Sequence, residues 1–324
     1  MSQRIAHFNL LERIGEGGLG EVYRARDTKV GRTVALKLPP PALLADPARR
    51  ERFLEDTRAA AALSHPNIAT LFDVGEQEGR WYLAYEFASG TTLRQQIGGR
   101  PMQARHAIEL AIQIADALSE AHSRGVMHTD LRPETIVITP KGSSKILDFG
   151  MAAWTRGGIA RARAATNPDA LDKETPRVAA YLSPEQALGE AVDPRTDIFT
   201  LAVIVYEMVS GRNPFGAPSG SATLMNVIRK QPPSLLKSHP ELPTELDAML
   251  SRALTKDLAA RQQSAASFAA ELRSLAAILD VRSGDVATGE LLRLDDEGNE
   301  SARWWWVGAL LAVGAIAIVW WMVR

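Results

Sequence analysis

Two aspartates carry the strongest chemical signal in this chain: Asp130 in His128-Thr129-Asp130, and Asp148 in Asp148-Phe149-Gly150. Between them lie two apolar runs, Ile136-Val137-Ile138 and Lys145-Ile146-Leu147, which can fold as a hairpin and bring both carboxylates to one place. A carboxylate oxygen suits a hard divalent cation. Taken singly, either aspartate could equally cap a helix or sit in a loop. Two further features precede them. In Gly15-Glu16-Gly17-Gly18-Leu19-Gly20, residues without Cβ let backbone N–H groups approach phosphate oxygens, although the same glycines also make an ordinary hairpin turn. Lys37 ends the apolar run Val34-Ala35-Leu36, where a long cation is unusual without an anionic partner, unless it snorkels to the surface.

These groups need a scaffold, and the flanking sequence supplies one. Residues 8–37 read as alternating strands broken by glycine turns, the start of an antiparallel sheet. A helical stretch over 46–63 stops before His65-Pro66, and 68–74 and 81–87 read as two more strands. After Ala88-Ser89-Gly90 the pattern turns helical, over 104–123, 195–210, 221–230, 243–255 and 264–279. A small β-rich lobe followed by a larger helical lobe is an α+β arrangement with a cleft between them.

With these motifs in this order, the chain resembles the Hanks-type serine/threonine protein kinases, most closely the bacterial membrane-anchored ones, over roughly residues 8–275. The resemblance implies a two-lobed kinase fold, with an N-lobe over 8–88 and a C-lobe over 89–279. It implies ATP and Mg²⁺ as cofactors and serine or threonine hydroxyls of proteins as substrates. Gly15, Gly17 and Gly20 would cover the phosphates, and Val22, Ala35 and Val137 would enclose the adenine. Glu86-Phe87-Ala88 would be the hinge whose backbone at Glu86 and Ala88 recognises adenine, with Tyr85 as gatekeeper. Lys37 would hold the α- and β-phosphates, Asp130 would orient the substrate hydroxyl proton, Arg132 would approach the γ-phosphate, and Asp148 would bind Mg²⁺. Glu185 and Arg261 match a buried ion pair of the helical lobe, and Asp197 matches the brace of the catalytic loop.

Several positions depart from the family pattern. Asp56 stands where a helix Glu pairs with the strand Lys, and is one methylene shorter; Glu55 points about 100° away on a helix. Thr135 replaces the Asn that binds a second Mg²⁺, offering only a hydroxyl, and Arg132 replaces a Lys without its compact point charge. Thr129 replaces the Arg that pairs with an activation-loop phosphate, so activation by that route is not expected. Val178 falls where a Thr hydroxyl usually meets the catalytic Asp, and Ala202 where Gly is usual. Thr155, Thr166 and Thr175 lie between Asp148-Phe149-Gly150 and Pro184-Glu185 as autophosphorylation candidates or as plain loop hydroxyls. The expectation is a working kinase of reduced rate; the alternative is a nucleotide-binding pseudokinase, or a membrane adaptor that signals by conformation.

Composition narrows the field further. With 46% hydrophobic and 23% charged residues the chain is globular, and its net charge of -1 gives no basic field for nucleic acid. The absence of Cys excludes disulfides, thiolate metal sites and a cysteine nucleophile, and no Gly-x-x-x-x-Gly-Lys-Ser/Thr occurs to make a P-loop. Residues 304–323 contain no charge, open on Trp304-Trp305-Trp306 and close on Trp320-Trp321, the pattern of a single transmembrane helix spanning a bilayer core of about 30 Å. A polar juxtamembrane linker over 280–303 precedes it. Residues 1–11 lack the apolar run of a secretory signal, so the kinase domain is expected in the cytoplasm, tethered to the inner (plasma) membrane. Gly308, Ala312 and Ala315 permit close packing of two such helices, leaving a homodimer open.

Overall fold

The period-two pattern of the first strands sorts their side chains onto two faces. In the strand Thr33–Leu38 (β4), Val34, Leu36 and Leu38 join one apolar cluster, while Ala35 packs against another. In Arg80–Glu86 (β6), Tyr82 and Ala84 join the first cluster, and Leu83 and Tyr85 the second. With Arg4–Ile5 (β1), Phe8–Gly17 (β2), Gly20–Asp27 (β3) and Leu71–Gln77 (β5), they form an antiparallel sheet in the order β1-β2-β3-β4-β6-β5. These coordinates are a computed structural model and describe residues 4–17, 19–154 and 175–283.

The hairpin that joins β2 to β3 closes with Gly17 opposite Gly20. At Gly20, with φ of 104°, a Cβ would sit 2.3 Å from the Leu38 carbonyl oxygen, so only glycine fits. Register shifts between Leu10 and Glu12 and between Arg13 and Gly15 leave Leu11 and Ile14 as extra residues, and both are exposed. The helix Pro47–Ala61 (α1) starts on Asp46, whose carboxylate accepts from Arg49 N–H at 2.8 Å. It buries Phe53, Thr57 and Ala60, one stripe that faces the second cluster of the sheet.

The helical lobe has its own core. It includes Leu93–Ile97 (α2), Ala104–Ser123 (α3), Thr175–Ala179 (α4), Pro184–Leu188 (α5), Arg195–Ser210 (α6), Gly220–Arg229 (α7), Thr244–Ala253 (α8) and Ala265–Ser283 (α9). In α6 every residue from Thr196 to Val209 is buried, which makes it the axis of the lobe. A three-stranded sheet of Thr91–Thr92 (β7), Ile136–Ile138 (β8) and Ser144–Ile146 (β9) lies beside it, with Ile136 opposite Ile146 and Val137 opposite Lys145. The expected hairpin between the two aspartates is therefore β8–β9.

Helix expectations over 104–123 and 195–210 agree with α3 and α6 to the residue, and the others differ by a few positions at their ends. The last helix extends to Ser283, into the first residues of the expected linker. Residues 304–323, 284–303, Thr155 and Thr166 lie outside the described residues; among the described ones, no helix is long and apolar enough to cross a membrane.

Candidate active site

The sheet places four of the expected site residues on one face. Val22 lies directly opposite Lys37, Gly15 opposite Val22, and Ala35 two residues before Lys37. Tyr85, opposite Ala35, shares that face, and Lys37 Nζ stands 5.3 Å from the centre of its ring. The Tyr85 hydroxyl is buried without a hydrogen-bond partner among the described residues; burial, with Asp148 adding its charge, pushes its pKa well up.

The expected partner of Lys37 is not the one the structure provides. Lys37 Nζ donates to Asp148 Oδ1, and both groups are buried. Asp56, the residue expected to meet Lys37 from the helix, instead accepts from the indole Nε1 of Trp154 at 2.7 Å. The short carboxylate of Asp56 thus takes a neutral donor from the turn Ala152–Trp154, which directly follows the Asp148 motif. Trp154 is gripped on other sides as well. Phe53 meets its ring edge-on at 5.2 Å, and the Arg49 guanidinium lies 5.9 Å from its centre. Leu19, at the tip of the glycine loop, is fully buried and belongs to the cluster that holds Phe53, Tyr85 and Trp154. Glu55 is exposed and takes no part.

One imidazole ties the backbone at Asp130 to that of Leu147, the residue before Asp148. Asp130 N–H donates to His128 Nδ1 at 3.2 Å, so that nitrogen is the acceptor, and Nε2–H donates to the Leu147 carbonyl at 2.9 Å. His128 is fully buried and its ring packs edge-on against Phe149 at 5.0 Å. Both Asp148 (φ 59°) and Thr129 (φ 54°) occupy the left-handed region, strain of a kind that gathers at functional sites. Asp197 supplies the bracing expected of it. Its carboxylate accepts from His128 N–H at 2.8 Å and Thr129 N–H at 2.7 Å, and contacts His122 Nε2 at 2.8 Å. Burial raises the Asp197 pKa, but the hydrogen bond and charge of His122 and the His128 backbone N–H outweigh it and hold the carboxyl below its usual value.

Arg132 Nε lies 3.3 Å from Asp130 Oδ1 without the alignment of a hydrogen bond, so the contact is one of charge. Thr135 has its hydroxyl turned to the local backbone: it accepts from Arg132 N–H and donates to the Arg132 carbonyl, both at 3.0 Å. One lone pair is left to offer a cation. Among the described residues no group of three or more His, Cys, Asp or Glu side chains gathers to hold a metal. Val178 brings no hydroxyl near Asp130.

At the hinge, the Glu86 amide donates to the Thr70 carbonyl at 2.8 Å, and the Glu86 carboxylate is clamped by Lys145 at 2.6 and 2.8 Å. Glu86 N–H is thus committed to Thr70, and Ala88 lies in the irregular stretch after β6. Val137 is buried on β8, opposite Lys145.

In the helical lobe, Arg261 donates to both oxygens of Glu185, at 2.8 and 3.0 Å, and Thr196 Oγ1 donates to one of them at 2.6 Å. Ala202 is fully buried. The sequence reading missed a second network, in which Arg94 donates to Glu134 at 2.8 Å and Glu207 at 2.6 Å, and also meets Tyr181. It missed Trp154 and the Lys145–Glu86 pair too. No local pattern flags these residues, because their partners lie far along the chain.

Comparison with known proteins agrees with this geometry. The protein kinase domain family matches residues 8–271. The chain is 36% identical to a probable serine/threonine-protein kinase of Streptomyces coelicolor over 258 residues, 78% of this chain and 37% of that protein. It is 36% identical to the serine/threonine-protein kinase PknB of Mycolicibacterium smegmatis over 271 residues, 82% of this chain and 42% of the other. The chain thus spans less than half the length of these curated relatives. The crystal structure of the Mycobacterium tuberculosis PknI kinase domain superposes with a TM-score of 0.64 at 28% identity, covering 85% of this chain and 98% of that one. With the lysine, the two aspartates and the brace of the catalytic loop in place, the chain belongs to the protein kinase family, and its relatives are bacterial serine/threonine kinases.

Proposed function

We propose that this protein is a serine/threonine protein kinase that transfers phosphate from ATP to protein hydroxyls, its own among them, from a cytoplasmic domain tethered to the inner membrane by residues 304–323. The observation that carries the reading is the meeting of Lys37 with Asp148, beside the His128 imidazole that ties the neighbouring Leu147 carbonyl to the Asp130 N–H. Phosphoryl transfer depends on positioning and charge neutralisation more than on covalent chemistry, and these are the groups it needs. Asp130 receives and orients the hydroxyl proton, Lys37 holds phosphate oxygens, and the amides of the loop bearing Gly15, Gly17 and Gly20 cover them. Asp148 would hold Mg²⁺, which would supply charge neutralisation on the phosphates. PknB-type relatives bear the name of serine/threonine kinases, which supports this substrate class. Gly308, Ala312 and Ala315 leave pairing of two anchors open.

The test is incubation of the full chain, in detergent, with radiolabelled ATP and Mg²⁺ or Mn²⁺, beside Asp148→Ala. Label that disappears in the variant establishes the kinase; no label with either metal, in folded protein, removes the proposal.

A second reading, a nucleotide-responsive pseudokinase, draws on one observation: Asp56 is engaged by Trp154 and not by Lys37. Trp154→Phe asks whether that engagement limits the rate. Phenylalanine keeps the packing on Phe53 but removes the N–H, a bond to a carboxylate that contributes about 1.5–3 kcal/mol. Freed from it, Asp56 becomes available to Lys37, and the initial rate in the same assay is expected to rise severalfold. A fall in rate would show that Trp154 supports the working arrangement.

A further inference from the structure

The peptide group that joins Thr129 to Asp130 is held at both ends by side chains. Its N–H, that of Asp130, donates to His128 Nδ1 at 3.2 Å. Its carbonyl, that of Thr129, accepts from Gln186 Nε2 at 2.8 Å. Gln186 comes from a different element, the first turn of α5, just past the segment that ends in Ser183-Pro184-Glu185. There its Oε1 accepts from Ser183 N–H at 3.1 Å, while its own N–H donates to Ser183 Oγ at 3.3 Å, a reciprocal cap. The two ends of one amide therefore do separate work: the acceptor closes its own helix and the donor reaches the catalytic loop. A carboxylate of the same length could do only the first, since it has no hydrogen to give. The peptide needs holding, because Thr129 is β-branched and sits at φ 54°, a conformation such residues seldom adopt.

We infer that Gln186 is a positioning residue for phosphate transfer: it fixes the Thr129–Asp130 peptide plane, and so the aim of the Asp130 carboxylate, by tying the catalytic loop to the start of α5. This also accounts for a loop held in place without the arginine that Thr129 replaces. The inference rests on Asp130 as the group that faces the substrate hydroxyl.

The test uses the full chain in detergent with Gln186→Glu, which keeps the acceptor for Ser183 N–H and loses the donor to Thr129, and with Gln186→Met, which loses both. Wild-type turnover is measured first and reports on the proposed function itself. In Gln186→Glu, kcat is expected to fall about tenfold while KM for ATP stays within about twofold. The melting temperature is expected to hold, since an acidic residue at this cap position is well tolerated. Backbone amides of residues 128–130 are expected to exchange hydrogen about fivefold faster than in the wild type, a readout that needs no turnover. Unchanged exchange in this loop would overturn the inference. So would a wild-type kcat in Gln186→Glu, or a loss of kcat matched by a fall in melting temperature.

Discussion

Lys37→Met is expected to lower phosphate transfer at least about 100-fold and, separately, to destabilise the domain by about 3–5 kcal/mol. The two effects share one cause. Lys37 and Asp148 are both buried and bonded to each other, so removing the ammonium leaves a carboxylate inside the protein with no cation. Taking a charge out of water costs several kcal/mol that only its partner offsets, which is why breaking such a pair is worse than replacing it whole. The double variant Lys37→Met with Asp148→Asn separates the effects. With both charges gone, most of the lost stability is expected to return in a urea melt, because an amide and a thioether need no counter-charge. Transfer stays absent, since neither the phosphate cation nor the metal carboxylate remains. A double variant as unstable as the single one would mean that Lys37 supports the fold through its packing on Tyr85 rather than through charge.

What could be read from the sequence was local in character. The β8–β9 hairpin follows from two short apolar runs, and α3 and α6 from long periodic stretches, so both were legible without knowing what they touch. The site residues on β4 were legible for a similar reason, because alternation puts Ala35 and Lys37 on one face. What stayed hidden was partner choice. Asp56 had one obvious cation to meet, and met an indole instead, because Trp154 reaches it from beyond the Asp148 motif. An indole N–H leaves no charge signature, and a turn such as Ala152–Trp154 carries no periodic pattern. Leu19 is a parallel case: glycine loops read as exposed, and only the surrounding cluster of Phe53, Tyr85 and Trp154 explains an apolar residue at the tip. Thr135 was read as a metal ligand by position, whereas its hydroxyl answers first to the backbone of Arg132 three residues earlier.

Arg261→Met is expected to cost about 3–5 kcal/mol and to lower the melting temperature by roughly 6–15 °C. Arg261 is almost wholly buried, at 2% exposure, and grips both oxygens of Glu185. Its loss also strips donors from the carbonyls of Thr255 at 3.2 Å and Arg195 at 3.3 Å, so three segments lose their common tie. For that reason the double variant Glu185→Leu with Arg261→Met is expected to regain only part of the stability: the charges are gone, but those two carbonyls and the Thr196 hydroxyl remain without their partner. The pair also sets an acid limit. Burial raises the Glu185 pKa, but the bonds from Arg261 and Thr196 outweigh it and hold the carboxyl below its usual range. A depressed folded-state value means that the unfolded chain binds the proton more readily. The stabilisation is therefore fully present above the unfolded carboxyl pKa of about 4.3, and is lost as pH falls through the lower folded value. Glu185→Gln lacks this dependence. The gap in melting temperature between it and the wild type is expected to be widest near neutral pH and to narrow below about pH 4. A gap that stayed constant into acid would assign the stability to packing around the guanidinium and not to the ion pair.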